Sequence, residues 1–528
     1  MLYLVYVDKT KTYMETNKND TPSMDDVNDI LPLFGVKALR SSQKDVIKSL
    51  LFEDNDLLAI LPTGGGKTLC FQVASYYQKA LTIIIYPLLS LMRDQKKRFE
   101  NSTSKAVILQ GGQTKKERNE IFEQIHKRDA KIIITNPETL RSKRIVEFLK
   151  KEGVSLFVID EAHTVVEWGE SFREAYKELR NIIENLTPAK IAAFTATSSI
   201  YVTNKLNEYV FFKKTPKIIR LSSNRENINY HKVLTLSRTE SLKQILRICS
   251  YPVLIFTSTR NEAKNTARLL SEIQDHPIRF YHAGLTKEEK LGIEKWYYNS
   301  SDGILASTCA FGMGVDKGNI RTVIHLKPPQ NPSAFLQESG RAGRDGETSD
   351  SYVIVKRSDL FLRNGNKNTC AEIFLNDKKD IRKSLLEEMG ENTDDFVPSK
   401  NDTPFITMQD EKEAILKEVS LNRGYYTAKT LSQMLKKKGT SFKNSESDFK
   451  KWSDKSATEA IMTLVNDKSL VAIKEQLYPK KLTVGEQIVK KFTILEEKGK
   501  CKLSVVKARL KNYCTRILKK LKLQKHIV

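Results

Sequence analysis

Short aliphatic and β-branched runs recur along the first 357 positions, each followed by a polar or helix-periodic stretch. One group lies at 57–61, 82–86, 131–135, 155–159 and 191–194, and a second at 253–256, 304–307, 322–326 and 351–355. Runs that are apolar throughout, rather than alternating, predict strands covered on both faces and hence parallel sheets sandwiched by helices. Two such groups, with a junction near 216–229, predict two α/β lobes in series. Beyond Arg357 the strand signal fades. A charged helical stretch is expected at 378–389, and 394–403 is polar with Pro398, which reads as a boundary. Helical spacing then recurs at 409–420, 427–437 and 455–468, followed by hairpin strands at 470–474 and 477–484. Three helices and a small β-ribbon in that order predict a winged helix.

Composition narrows the class. A chain of 528 residues allows three or four compact units, and 29% charged with 40% apolar residues excludes a mostly disordered one. No apolar run approaches the roughly 20 residues that cross a bilayer. The opening apolar run Met1 to Val7 stops at Asp8 and has no basic lead, so it is not read as a secretory signal, and an intracellular protein is expected. The compartment is cytoplasm or nucleoid in a bacterium and the nucleus in a eukaryote. The net charge is +24, and residues 399–528 hold 29 Lys/Arg against 14 Asp/Glu. That concentration predicts a polyanionic partner at the carboxyl end. Six cysteines, Cys70, Cys249, Cys309, Cys370, Cys501 and Cys514, contain no Cys-x-x-Cys pair, so they read as buried or incidental thiols.

In parallel sheets, ligands sit outside the carboxyl ends of the strands, so the loops there carry the chemistry. The first run leads into Pro62-Thr63-Gly64-Gly65-Gly66-Lys67-Thr68. Glycines let backbone N–H groups turn around a phosphate, with Lys67 placed for the β/γ-phosphates and Thr68 for Mg²⁺. The strict pattern departs at its first position, Leu61. The run 155–159 ends in Asp160-Glu161-Ala162-His163, where Asp160 suits Mg²⁺ and Glu161 suits orienting or deprotonating a water. His163 reads as a link between lobes. In the second lobe, Gln337 to Gly346 sets Arg341 and Arg344 three apart among glycines, a spacing suited to neutralising charge on a γ-phosphate.

These blocks, in this order over about residues 33–355, resemble superfamily 2 helicases and more closely the RecQ family. Phe34-Gly35 with Arg40 and Gln43 is similar to the family's adenine-reading motif, Gln43 for the base and Arg40 for support of the nucleotide. Thr63, Gly64, Gly65, Gly66, Lys67 and Thr68 fall in its phosphate loop. Glu167 to Tyr176, with Trp168, Phe172 and Arg173, resembles the aromatic-rich loop that couples single-stranded DNA to hydrolysis, and such residues make a stacking platform for unpaired bases. Ala310 to Lys317 and Gln337 to Gly346 resemble motifs V and VI, which makes Arg344 the arginine finger. Departures are Val36 where an aromatic often stacks on adenine, and Glu170 where a His is common. Residues 378–391 resemble the family's basic hairpin, with Arg382 and Lys383 in the basic positions. The four zinc cysteines are absent, so no zinc is expected, with hydrophobic packing in its place.

The resemblance implies an ATP-driven 3′→5′ DNA helicase acting on forked or recombining duplexes in repair and recombination, with ATP and Mg²⁺ bound between two RecA-like lobes. Its partners are single-stranded and forked DNA and no membrane, and a monomer is expected. The expected architecture is α/β: an extension at 1–23, lobes at 24–218 and 219–357, a helical hairpin at 358–398, a winged helix at 399–492 and a basic amphipathic helix at 493–528. Two rival readings stand beside it, an RNA helicase with the same motor and a nucleotide-gated DNA translocase that does not unwind.

Overall fold

The protein is described by a computed structural model covering residues 22–484, apart from 63, 88, 101–104, 168–178, 180, 187–188, 213, 313–316, 363, 377–378, 400–401, 403, 407–408, 439–448 and 476–477. The chain divides into two compact units. One comprises Met1–Arg225, Gly312–Asp316 and Leu386–Asp395; the other comprises Glu226–Phe311, Lys317–Leu385 and Phe396–Val528.

The first unit is built on a seven-stranded parallel sheet of order β3-β4-β2-β5-β6-β1-β7. Its strands are β1 (Leu57–Ile60), β2 (Leu81–Ile85), β3 (Ala106–Ile108), β4 (Ile132–Thr135), β5 (Val154–Ile159), β6 (Lys190–Thr195) and β7 (Lys217–Arg220). The apolar runs are continuous because both faces are covered. In β2, Leu81, Ile83 and Ile85 join one core cluster while Ile84 joins the other; in β5, Phe157 and Ile159 face the first and Leu156 and Val158 the second. Each fully buried aliphatic or aromatic side chain contributes about 1.5–3 kcal/mol. Local signals set the helix starts, as where Thr114 accepts from Glu117 N–H and Glu117 reciprocates at the head of Lys115–His126. Residues 386–395 also pack in this unit. Arg220 donates to the carbonyl of Met389 at 2.6 Å, and Glu391 accepts from Ser222 Oγ at 2.7 Å and Ser223 N–H at 2.8 Å.

The second unit holds another seven-stranded parallel sheet, of order β10-β11-β9-β12-β13-β8-β14. Its strands are β8 (Ile228–Leu234), β9 (Val253–Phe256), β10 (Ile278–Tyr281), β11 (Ile304–Ser307), β12 (Thr322–His325), β13 (Ser349–Val355) and β14 (Pro404–Ile406). The sequence did not announce β3, β7, β8, β10 or β14. Of these, β3, β7, β10 and β14 are edge strands of three or four residues, and β8 (Ile-Asn-Tyr-His-Lys-Val-Leu) interleaves polar residues. The polar stretch expected as a boundary ends inside this lobe, since β14 pairs with β8.

The hairpin, where apolar packing is expected, has a partly apolar core. Cys370, Ala371, Phe374 and Leu385 are fully buried, and Phe374 meets Phe335 edge-on at 5.0 Å. Arg382, expected at a basic position of the hairpin, is buried instead. It donates to Asp402 Oδ2 at 2.8 Å, Asp402 Oδ1 at 2.9 Å and the carbonyl of Ile228 at 2.5 Å, and stacks on Tyr230 at 4.4 Å. Among the described residues no group of three or more His, Cys, Asp or Glu is placed to hold a metal.

Helices Gln409–Leu421, Ala428–Lys438 and Asp454–Asn466 then precede the antiparallel hairpin β15 (Leu470–Glu475) and β16 (Tyr478–Val484). Ile415, Val419, Leu431, Phe449, Ile461 and Leu464 form their core. The expected amphipathic helix at 493–528 lies outside the described residues. No described helix is long and apolar enough to cross a membrane.

Candidate nucleotide site

Strands β5, β6 and β1 are neighbours, so the loops leaving their carboxyl ends lie side by side. Those loops are Asp160 to His163, Thr195 to Thr197 and Pro62 to Thr68. Backbone bonds fix their departure: Leu61 N–H donates to Thr195 O at 3.0 Å, Ala162 N–H to Phe194 O at 2.9 Å and Asp160 N–H to Ile85 O at 3.1 Å. Three segments spread between residues 62 and 197 are thereby brought to one edge.

The phosphate loop turns through Gly64 and Gly66, both at φ +81°. Gly66 then starts helix Lys67–Tyr77. At Gly66 a side chain has no room as well as an unfavourable backbone, because a Cβ there would meet Gln43 Nε2 at 2.0 Å. Gln43 is buried, accepts from Arg40 N–H at 2.8 Å and donates to Gly65 O at 3.3 Å. Arg40 donates to Gly64 O at 3.0 Å. The pair expected to serve the base thus braces the phosphate loop. Val36 is half-buried and packs against the core beneath. On the helix face below the loop, burial pushes the Cys70 thiol up to about 12.

Lys67 Nζ lies 3.7 Å from Glu161 Oε1, with side-chain exposures of 13% and 27%. Glu161 adopts φ +50°, a sparsely populated backbone for a non-glycine residue. Its N–H donates to Asp160 Oδ1 at 2.9 Å, and its carbonyl accepts from Thr164 Oγ1 at 2.8 Å. Asp160 is 5% exposed. His163 is buried with Nδ1 3.1 Å from Thr195 Oγ1 and 3.5 Å from Glu161 Oε2, contacts that join the acidic loop to the Thr195 loop within this lobe. Thr68, half-buried one residue after Lys67, and Asp160 offer one hydroxyl and one carboxylate. That donor set fits Mg²⁺, which is held by few protein oxygens, phosphate oxygens and water. Thr63 and the aromatic-rich loop with Trp168, Phe172 and Arg173 lie outside the described residues, as do residues 313–316.

In the second lobe, Arg341 is 6% exposed and Arg344 half-buried, in the turns after helix Pro332–Ser339. The carbonyls of this turn are held by a residue that no motif marks. Asn227 Nδ2 donates to Gly343 O and Glu347 O, each at 2.9 Å. Gly343 sits at φ +53°, and a Cβ there would meet Asn227 Nδ2 at 2.5 Å. Arg321 adds an ion pair to Asp345. Glu338 anchors the preceding helix through His325 Nε2 at 3.0 Å. Lys317, the last residue of the segment resembling motif V, is buried and donates to the carbonyls of Tyr298 at 3.1 Å and Ser300 at 2.7 Å; burial pulls its pKa below the usual lysine range.

Comparison with known proteins identifies the family of the chain. The DEAD/DEAH box helicase family model matches residues 40–205, and the helicase conserved C-terminal domain matches 237–346. The chain is 34% identical over 334 residues to the probable ATP-dependent DNA helicase RecS of Bacillus subtilis, covering 62% of this chain and 66% of that one. It is 32% identical over 345 residues to the ATP-dependent DNA helicase RecQ of a Synechocystis species, covering 63% and 72% respectively. The fold is similar to that of the DUF1998 helicase MrfA solved bound to DNA, with a TM-score of 0.53 at 15% identity over 87% of this chain and 62% of that one.

Proposed function

The chain belongs to the RecQ family of superfamily 2 ATP-dependent DNA helicases, and on that premise we propose that it couples ATP hydrolysis to 3′→5′ travel on one DNA strand and separates forked or recombining duplexes in repair and recombination. The observation that carries the reading is the meeting of Lys67 and Glu161 at 3.7 Å where three motif loops leave adjacent strands. In this reading Lys67 and the N–H groups of Gly64 to Thr68 hold the β- and γ-phosphates. Glu161 takes up a proton from the attacking water or orients it, and its contact with Lys67 keeps the carboxylate aimed. Thr68 and Asp160 hold Mg²⁺, which neutralises charge on the phosphate oxygens. Gln43 senses the base and, through Gly65, reports its presence to the phosphate loop. Arg344, with Arg341, supplies positive charge to the transferred group, where an arginine finger is worth about 10³–10⁵ in rate.

The segment 399–492 is read as a winged helix that holds duplex DNA through exposed lysines, and Trp168, Phe172 and Arg173 as the sensor of unpaired bases. The protein is expected to work as a monomer without zinc. The test is unwinding of one duplex carrying a 3′ or a 5′ tail, with ATP turnover measured beside it on DNA and on RNA. Wild type should unwind only the 3′-tailed substrate, be stimulated more by DNA, and bind DNA less as salt rises. Glu161→Gln should bind ATP yet lose turnover. Undiminished hydrolysis by that variant removes Glu161 from the mechanism; stronger stimulation by RNA favours an RNA helicase, and DNA-stimulated turnover without strand separation favours a translocase.

A further inference from the structure

Helix Asp454–Asn466 meets the second lobe through a half-buried carboxylate, Glu459, set on a buried lysine, Lys356. Glu459 accepts from Lys356 Nζ at 2.7 Å, from Ser237 Oγ at 2.8 Å and from the N–H of Arg238 at 3.2 Å. Arg238 opens helix Arg238–Ile248, so a carboxylate from the carboxyl-terminal helices sits at the positive end of a lobe helix. Lys356 is 8% exposed and also donates to Leu236 O at 3.0 Å and Thr463 Oγ1 at 2.9 Å. Ser456 Oγ adds a bond to Glu240 Oε1 at 2.7 Å. Arg238 in turn grips Asp359 at 2.6 and 2.7 Å and the carbonyls of Leu326 at 2.6 Å and Ile354 at 2.8 Å. Leu236, from the lobe, is a member of the core formed by the carboxyl-terminal helices.

This socket lies just past the ends of β8 and β13, which are paired in register at Leu234 and Val355. It is therefore at the carboxyl edge of the sheet, where ligand-handling loops of parallel sheets emerge. Apolar contact is non-directional, so Leu236 alone permits many docked orientations. A buried lysine with three acceptors from two segments, matched by a carboxylate with three donors, is satisfied in one. On the same set of helices, Lys429 and Lys437 are exposed two turns apart on Ala428–Lys438.

We propose that Glu459 and Lys356 are positioning residues that lock the carboxyl-terminal helices onto the second lobe in a single orientation, so that Lys429 and Lys437 are carried against duplex DNA as a rigid part of that lobe. The proposal rests on the helicase reading above. It is tested in the full-length chain with Glu459→Ala and Lys356→Met, measuring single-strand-stimulated ATP turnover, unwinding of a 3′-tailed fork, and amide hydrogen exchange over residues 454–466. Each variant should unwind about tenfold or more slowly while turnover stays within about twofold of wild type, with faster exchange in 454–466. Unwinding that is unchanged, or that falls together with turnover, overturns the lock. Glu459→Gln, which keeps the side chain's size and an acceptor, covers the case in which Glu459→Ala does not fold, and should give an intermediate loss of unwinding. If wild type never unwinds any duplex, the helicase reading fails; exchange in 454–466 then decides the lock, faster in Glu459→Gln supporting it and unchanged refuting it.

Discussion

Arg382 offers the sharpest test of how this chain holds its hairpin. Its side chain is 3% exposed and that of its partner Asp402 5%, and the guanidinium makes two bonds to the carboxylate, one to Ile228 O and a stack on Tyr230. Asp402 Oδ1 also accepts from Tyr230 N–H at 2.8 Å, so one carboxylate ties the hairpin, β8 and the approach to β14 together. Arg382→Met keeps the length and apolar stem but strands the Asp402 charge among buried groups, leaving the carbonyl of Ile228 without this donor. Breaking a buried pair by removing one partner costs about 3–5 kcal/mol. At about 2–4 °C per kcal/mol for a large domain, the unfolding transition of the second unit should fall on the order of 10 °C. The double variant Arg382→Met with Asp402→Leu removes both charges and should recover most of the loss, because a well-packed apolar pair often replaces a buried ion pair at little cost. The assay is thermal unfolding followed by hydrogen exchange over 228–234 and 381–385. A transition left in place by Arg382→Met, or losses that simply add in the double variant, would refute the reasoning.

Three further outcomes are expected. Trp168→Ala should lower DNA-stimulated turnover more than basal turnover, and equal losses in the two would make Trp168 a core residue. Burial pushes the Glu459 carboxyl up, but Lys356, Ser237 and Arg238 N–H outweigh it and hold it below the usual carboxylate range. A depressed folded pKa gives stability that is present above the unfolded value of about 4.3 and is lost as pH falls through the folded one. Protection of 454–466 against hydrogen exchange, taken relative to the intrinsic amide rate at each pH, should therefore fall below about pH 4, and Glu459→Gln should flatten that dependence. Alkylation with peptide mapping at neutral pH should modify Cys309 before Cys70 or Cys370: burial pushes all three thiols up, but Cys309 is exposed and the other two are fully buried; early loss of Cys70 would contradict the packing of the helix behind the phosphate loop.

The motor's outline follows from sequence because its strands are buried on both faces and run apolar without interruption, and because glycines, acids and arginines in motif loops are required by phosphate chemistry. Lys67, Asp160, Glu161, Arg341 and Arg344 are singled out on those grounds alone. The alignment of the Lys67 loop with the Asp160–Glu161 loop, β5 beside β6 beside β1, is not contained in any local pattern; only the crossovers of the folded chain set it. Gln43 reads as a residue for the base and Arg40 as support for the nucleotide, yet their contacts with Gly65 and Gly64 depend on a helix 20 or so residues upstream packing under the loop. Asn227, Asp402 and Glu459 had no legible signal. Each is a single polar residue whose importance comes from burial against partners more than 100 positions away in two cases and 20 in the third. The sequence by itself determined which segments become the central, doubly covered strands and which loops carry residues suited to phosphate, since periodicity and side-chain chemistry are local; the short edge strands and the polar β8 it left unmarked. The tertiary structure alone decided which polar groups lose water, because desolvation depends on everything packed around a group, and that made an arginine from a basic hairpin into a buried tie.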